Sequence, residues 1–166
     1  LKRAIKMLER FSRYHAATTR EVVGAELNFK IQLGRAEIRG SVDRIEVDSD
    51  GNHYVIDFKT GKTQITAEKA KENLQLACYQ LAVALDGFEK KLATTSSSGA
   101  ELVYLAKDSV KVTTRQQYKI DELEVKAKIE KIAEGMGASL DIQISKGYPS
   151  LVNDPKVTSN CRNIAK

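Results

Sequence analysis

The chain has 166 residues, 42% of them hydrophobic, with ten glycines, two prolines and two cysteines. That length and apolar content suit one domain with a real core and exclude a low-complexity chain, while two cysteines are too few for a disulfide framework. The formal net charge of +5 permits a polyanionic partner without demanding one.

In chain order, residues 1–18 read as a helix with Ile5, Leu8, Phe11 and His15 on one stripe. His15 can be imagined as a metal ligand, but its spacing puts it at the end of that packing stripe. Residues 22–33, 36–48 and 52–60 alternate as the strands of an antiparallel meander, with Gly34-Arg35 and Asp50-Gly51 at the turns. Thr66 is a good N-cap for a helix running to about Leu85, with Glu68 and Glu72 in early turns where the helix dipole favours acids. Its nearly apolar run over residues 74–85 is too short to span a bilayer, so no membrane partner is expected and cytoplasm is the expected location. Cys78 in that run reads as a small buried hydrophobe.

Residues 94–99 lack periodicity and read as a flexible connection. A strand over 101–107 and a shorter one around 110–114 follow, with residues 118–120 left unassigned. Asp121 then caps a helix to about Met136, with the stripe Leu123, Ala127, Ile129, Ile132 and Met136. The sum is an α/β fold, a central mixed sheet with an antiparallel meander flanked by helices.

The meander carries the chemistry. If Ser49-Asp50-Gly51 is a three-residue loop with Gly51 left-handed, Asp43 falls opposite Asp57, with Lys59 one pleat further on the same face. A two-residue Asp50-Gly51 turn would instead set Asp43 against Phe58 and send the two carboxylates to opposite faces. Facing carboxylates repel, so the first register makes sense with a cation between them. Hard oxygen ligands of this kind suit Mg2+ or Mn2+, and a nearby lysine can steady charge on a phosphate. The same residues on a solvated hairpin would be ordinary edge charges. Gln75 and Tyr79, at i and i+4, share a helical face, a spacing that packing alone also uses. Lys59, Lys62, Lys69 and Lys71 form one basic group and Lys107, Lys111, Arg115 and Lys119 another, each suited to phosphates or simply to solvent.

Taken in order, Glu26 within Val22-Val23-Gly24-Ala25-Glu26-Leu27, then Gly40-Ser41-Val42-Asp43-Arg44-Ile45, then Ile56-Asp57-Phe58-Lys59-Thr60-Gly61-Lys62, then Gln75-Leu76-Ala77-Cys78-Tyr79 form an ordered set. This set resembles the RecB-like branch of the PD-(D/E)XK nuclease superfamily, found as the C-terminal nuclease module of bacterial ATP-dependent helicase-nucleases and as stand-alone exonucleases. The resemblance covers residues 22–107, with residues 101–105 matching the family's last core strand. It implies a restriction-endonuclease-like core and a metal-dependent DNA exonuclease of repair and recombination, with DNA and a helicase motor as partners. The other reading is a catalytically degenerate domain that binds DNA or serves a structural role in a helicase assembly.

By the same resemblance Asp43, Asp57 and the Phe58 main-chain carbonyl would hold the metal, and Lys59 would be the catalytic lysine. Glu26 would stand near the metal or its water, while Gln75 and Tyr79 would face the active site and the DNA. Relatives also carry an upstream histidine and a cluster of C-terminal cysteines that holds a [4Fe-4S] cluster. Only Cys161 stands in the corresponding tail, and a cluster wants four thiolates, so no iron-sulfur cluster is expected in this chain as given. The expectation is one nuclease domain over residues 1–166, itself a fragment of a larger protein.

Overall fold

The computed structural model describes residues 2–34, 36–106, 112–135 and 141–144. Ten elements follow one another: α1 (Lys2–Ala17), β1 (Glu21–Leu33), β2 (Ala36–Val47), β3 (His53–Lys59), α2 (Ala67–Lys71), α3 (Leu74–Ala84), β4 (Ser97–Tyr104), β5 (Thr113–Tyr118), α4 (Glu122–Gly135) and β6 (Asp141–Ile144). The strands form one mixed sheet in the order β1-β2-β3-β4-β5, with β6 alongside β2. The meander β1–β3 and the β4/β5 pair are antiparallel, whereas β4 returns parallel to β3 after the α2–α3 crossover. This is the expected α/β architecture. Among the described residues no helix is long and apolar enough to cross a membrane.

The hairpin between β2 and β3 takes the three-residue loop. Gly51 has φ 79°, Asp48 N–H donates to Asn52 O at 3.0 Å, and Val47 pairs with His53, Glu46 with Tyr54, Ile45 with Val55 and Arg44 with Ile56. The paired ladder stops there, although β3 stays paired with β4 through Lys59. The other half of β2, Glu37 to Gly40, runs parallel with β6. β2 is therefore forked: its end pairs with β3, its start with β6, and Asp43 lies in the gap.

Two cores sandwich the sheet. On one face α3 and α4 cover Phe29, Ile31, Val42, Ile45, Val55, Ala100 and Leu102. On the other, Met7, Phe11 and Tyr14 of α1 cover Tyr54, Ile56, Val103 and Leu105, with Phe58 beside them. α3 is buried all round from Leu76 to Val83, which is why its sequence reads as an apolar run and not as a stripe. Burial there pushes the Cys78 thiol up to about 11, as for an inert hydrophobe.

Several expectations need correction. The buried side of α1 is Met7, Arg10, Phe11 and Tyr14, while Ile5 and Leu8 are 46% and 67% exposed and His15 stacks on Phe11 from an exposed position. Polar anchors set that rotation: Arg10 Nη1 donates to Leu105 O at 2.8 Å, and Tyr14 OH donates to Glu101. The expected helix over 66–85 is two helices. Thr66 caps the first, accepting from Lys69 N–H, and Asn73 opens a second by accepting from Leu76 N–H at 3.0 Å. Ser97 to Gly99, expected as a flexible connection, already belong to β4, because pairing with β3 and β5 outweighs their composition. A Cβ at Gly99 would lie 2.6 Å from Gln117 O, so only glycine fits this approach.

The strand expected around 110–114 is β5, further along at Thr113–Tyr118. Val110 and Lys111 lie outside the described residues. Asp121 caps α4 as anticipated, its Oδ1 accepting from Leu123 and Glu124 N–H. The buried pair on α4 is Val125 and Ile129; Leu123 is 78% exposed, Ala127 and Ile132 are exposed, and Met136 lies outside the described residues. β6 had no counterpart in the sequence reading.

Candidate active site

Strand alternation separates the two faces of β3. Tyr54, Ile56 and Phe58 point toward α1, whereas Val55 points to the α3 core and Asp57 and Lys59 continue along that side. There they meet α3. Lys59 Nζ lies 2.8 Å from Asp57 Oδ2 and donates to Gln75 Oε1 at 3.2 Å. Gln75 Nε2 donates to Tyr79 OH at 2.8 Å and to Asp57 Oδ1 at 3.4 Å, and Tyr79 OH donates to Asp57 Oδ1 at 3.1 Å. The i, i+4 pair on α3 thus grips one carboxylate oxygen, and Asn73, capping the helix just before Gln75, fixes where that grip begins.

Asp57 Oδ2 is buried and faces the Lys59 ammonium at 2.8 Å, which neutralises it. Asp43 joins from β2. The Arg44–Ile56 register, carried one residue further, sets Asp43 across from Asp57, and Phe58 N–H donates to Asp43 Oδ2 at 2.7 Å. Burial raises the Asp43 carboxyl above the ordinary carboxylate range; the Phe58 N–H pulls it back, the Asp57 charge raises it further and Lys59 opposes that rise. Burial, followed by the Asp57 charge, drives the Tyr79 hydroxyl well above its usual value, so it remains a neutral donor.

Glu26 takes the position on β1 across from Asp43, between the pairs Ala25–Arg44 and Leu27–Val42. It is exposed and left-handed, with φ 55°, a conformation that a glutamate holds only where its surroundings enforce it. β2 also breaks its alternation at this point, since Val42 and Ile45 line the same core while Arg44 faces α1. His15 stands apart from the carboxylates, on the helix that covers the Phe58 side of the sheet.

Lys62, Lys69 and Lys71 are all exposed. Arg115 is committed to main-chain oxygens of Ile65 and Thr114. Lys119 is exposed, and Lys107, Lys111 and Cys161 lie outside the described residues.

The donor chemistry fits a hard divalent cation. A buried carboxylate, Asp57, and a half-buried one, Asp43, stand across from one another, and oxygen-only ligation suits magnesium or manganese. Among the described residues no group of three or more His, Cys, Asp or Glu side chains could hold a metal ion, and a main-chain oxygen such as Phe58 O would be a further ligand.

Sequence reasoning overlooked the charged residues on the opposite face. Arg44 Nη1 pairs with Glu46 Oε1 at 3.2 Å, and Arg20 bridges Glu46 Oε2 at 2.8 Å and Glu101 Oε1 at 3.2 Å. The available signal was that Arg44 and Glu46 occupy alternate positions on a strand whose neighbour offers Tyr54 and Ile56 to the same face.

A family profile described as "PD-(D/E)XK nuclease superfamily" matches residues 1–153. No curated protein matches the chain. Among solved structures the chain is similar to one titled "Crystal structure of SSO0001", with 19% identity and a TM-score of 0.46, covering 79% of this chain and 58% of that one. The chain therefore spans less than two thirds of that protein's length.

Proposed function

The chain belongs to the PD-(D/E)XK nuclease superfamily, and on that premise we propose that it is a metal-dependent DNA exonuclease, the RecB-like nuclease module of a helicase-nuclease acting in DNA repair and recombination. One observation carries the reading: Lys59, Gln75 and Tyr79 converge on the buried carboxylate of Asp57, which lies across from Asp43. Asp43, Asp57 and the Phe58 carbonyl would hold Mg2+ or Mn2+, and the ion would supply positive charge to polarise the scissile phosphate and acidify a water.

The protein's own groups do the remainder. Lys59, half-buried at the end of β3, stabilises negative charge as it develops on the phosphoryl oxygens. Gln75 orients that ammonium through its Oε1 while its Nε2 and the Tyr79 hydroxyl hold Asp57 in one rotamer. Glu26 stands across from Asp43 as a further acidic group at the mouth. Lys62, Lys69 and Lys71 meet backbone phosphates without reading sequence. The helicase motor, in the same polypeptide or complex, and the exonuclease mode rest on the ordered motif set.

The test uses end-labelled single- and double-stranded DNA with Mn2+ or Mg2+. Mononucleotide release from an end is expected from the parental chain, and none from Asp57→Ala of unchanged circular dichroism. Parental turnover in Asp57→Ala would sink the site assignment. A parental chain that binds the DNA and leaves it intact with either ion would instead identify a degenerate DNA-binding domain.

A further inference from the structure

Arg44 follows Asp43 in the chain and points to the opposite face of the sheet. Its guanidinium carbon lies 5.0 Å from the ring centroid of Phe11 on α1 and 5.0 Å from that of Phe58 on β3, and since the two rings are themselves 5.2 Å apart, the cation packs against both as the third corner of a triangle. The Phe58 ring is packed in turn by Phe11 and Tyr14, at centroid distances of 5.2 and 5.8 Å. Glu46 Oε1 fixes the guanidinium from the next position along the same strand face.

This clamp sits where β3 is still paired with β4 but no longer with β2. The paired β2/β3 ladder ends at Arg44 and Ile56; beyond it, Phe58 N–H donates to a side chain, Asp43 Oδ2. On one face that hydrogen bond ties Asp43 to the Phe58 main chain, and on the other Arg44 packs against the Phe58 ring. We propose that Arg44 is a positioning residue for the metal site: by holding the Phe58 ring against α1 it fixes the Asp43 carboxylate and the Phe58 main chain at the spacing that a divalent cation requires. The inference rests on the reading of Asp43 and Asp57 as metal ligands. It adds a role for α1, whose Phe11 packs on both the Phe58 ring and the Arg44 guanidinium and so completes the clamp.

Arg44→Met keeps length and apolar bulk and removes the charge, while Arg20 still pairs with Glu46 Oε2. Mn2+ affinity, read by electron paramagnetic resonance of free Mn2+, is measured for the parental chain, Arg44→Met, Arg44→Lys and Asp57→Ala, each checked for folding by thermal unfolding. Supports of this kind are worth on the order of tenfold to hundredfold in metal affinity. Arg44→Met is expected to weaken Mn2+ binding by that factor, with Arg44→Lys recovering part of the loss because a compact ammonium does not stack as a planar fork does. If Asp57→Ala loses Mn2+ while folded Arg44→Met binds it as the parental chain does, the proposal is overturned and the metal-site reading stands. Parental Mn2+ affinity in Asp57→Ala overturns both. Should Arg44→Met fail to fold, Phe11→Leu decides: weakened binding supports the clamp and parental binding overturns it.

Discussion

Asp57 and Lys59 form a half-buried ion pair, and in the proposed mechanism the two residues carry different duties. Lys59→Ala should slow single-turnover cleavage about hundredfold to thousandfold while Mn2+ binding persists, because the ammonium acts on developing charge and is not a ligand. Equal turnover would reduce Lys59 to a surface cation. Asp43 has its own pH signature. Its folded pKa is raised, mainly by burial, so the folded chain holds this proton more firmly than the unfolded chain does. Stability without metal therefore falls as pH rises from the ordinary carboxylate range, about 4, through the raised folded value. Asp43→Asn lacks that loss. With chelator present, its melting temperature should gain on the parental one as pH rises across this window, and a constant difference would remove burial as the cause.

At the scale of elements, the break between α2 and α3 shows how one side chain sets the site. Asn73 accepts from Leu76 N–H, so α3 starts one residue later, at Leu74, and Gln75 and Tyr79 take the face toward Asp57. Asn73→Ala should cost about 1 kcal/mol of stability in urea denaturation, with Asn73→Asp, which can still cap, close to the parental value. An Ala variant of parental stability would mean that the burial of α3 alone defines its start. The rotation of α1 differs from the apolar pattern for a physical reason. Apolar periodicity on α1 favoured Ile5 and Leu8, yet the helix docks through Arg10 and Tyr14, whose partners Leu105 and Glu101 lie far along the chain.

Across the whole molecule, Arg20 ties the start of β1 to β2 and β4 through two acids that are themselves buried, with side-chain exposures of 23% for Arg20, 0% for Glu46 and 3% for Glu101. Tyr14 OH and Gln116 Nε2 also donate to Glu101, so α1, β2, β4 and β5 meet at this cluster. Removing one partner leaves buried carboxylates undercompensated. Arg20→Gln should cost roughly 3 kcal/mol in chemical denaturation, the lower end for a broken buried pair because Arg44, Tyr14 and Gln116 remain. A loss below about 1 kcal/mol would assign Arg20 the weight of an ordinary surface bridge.

The sequence by itself determined what short-range periodicity encodes. Asp57 and Lys59 share a strand face at i, i+2, Gln75 and Tyr79 share a helix face at i, i+4, and Thr66 and Asp121 open helices through their own side chains. Those spacings are properties of local backbone geometry and hold wherever the elements are placed. Only the tertiary structure decided between the two hairpin registers, forked β2 at Asp43, extended β4 back to Ser97 and turned Arg10 and Tyr14 inward. Apart from the register, whose pairs lie within a dozen residues of one another, each of these outcomes depends on partners dozens of residues away, whose hydrogen bonds and buried charges outweigh local propensity and leave no periodic trace in the segment itself.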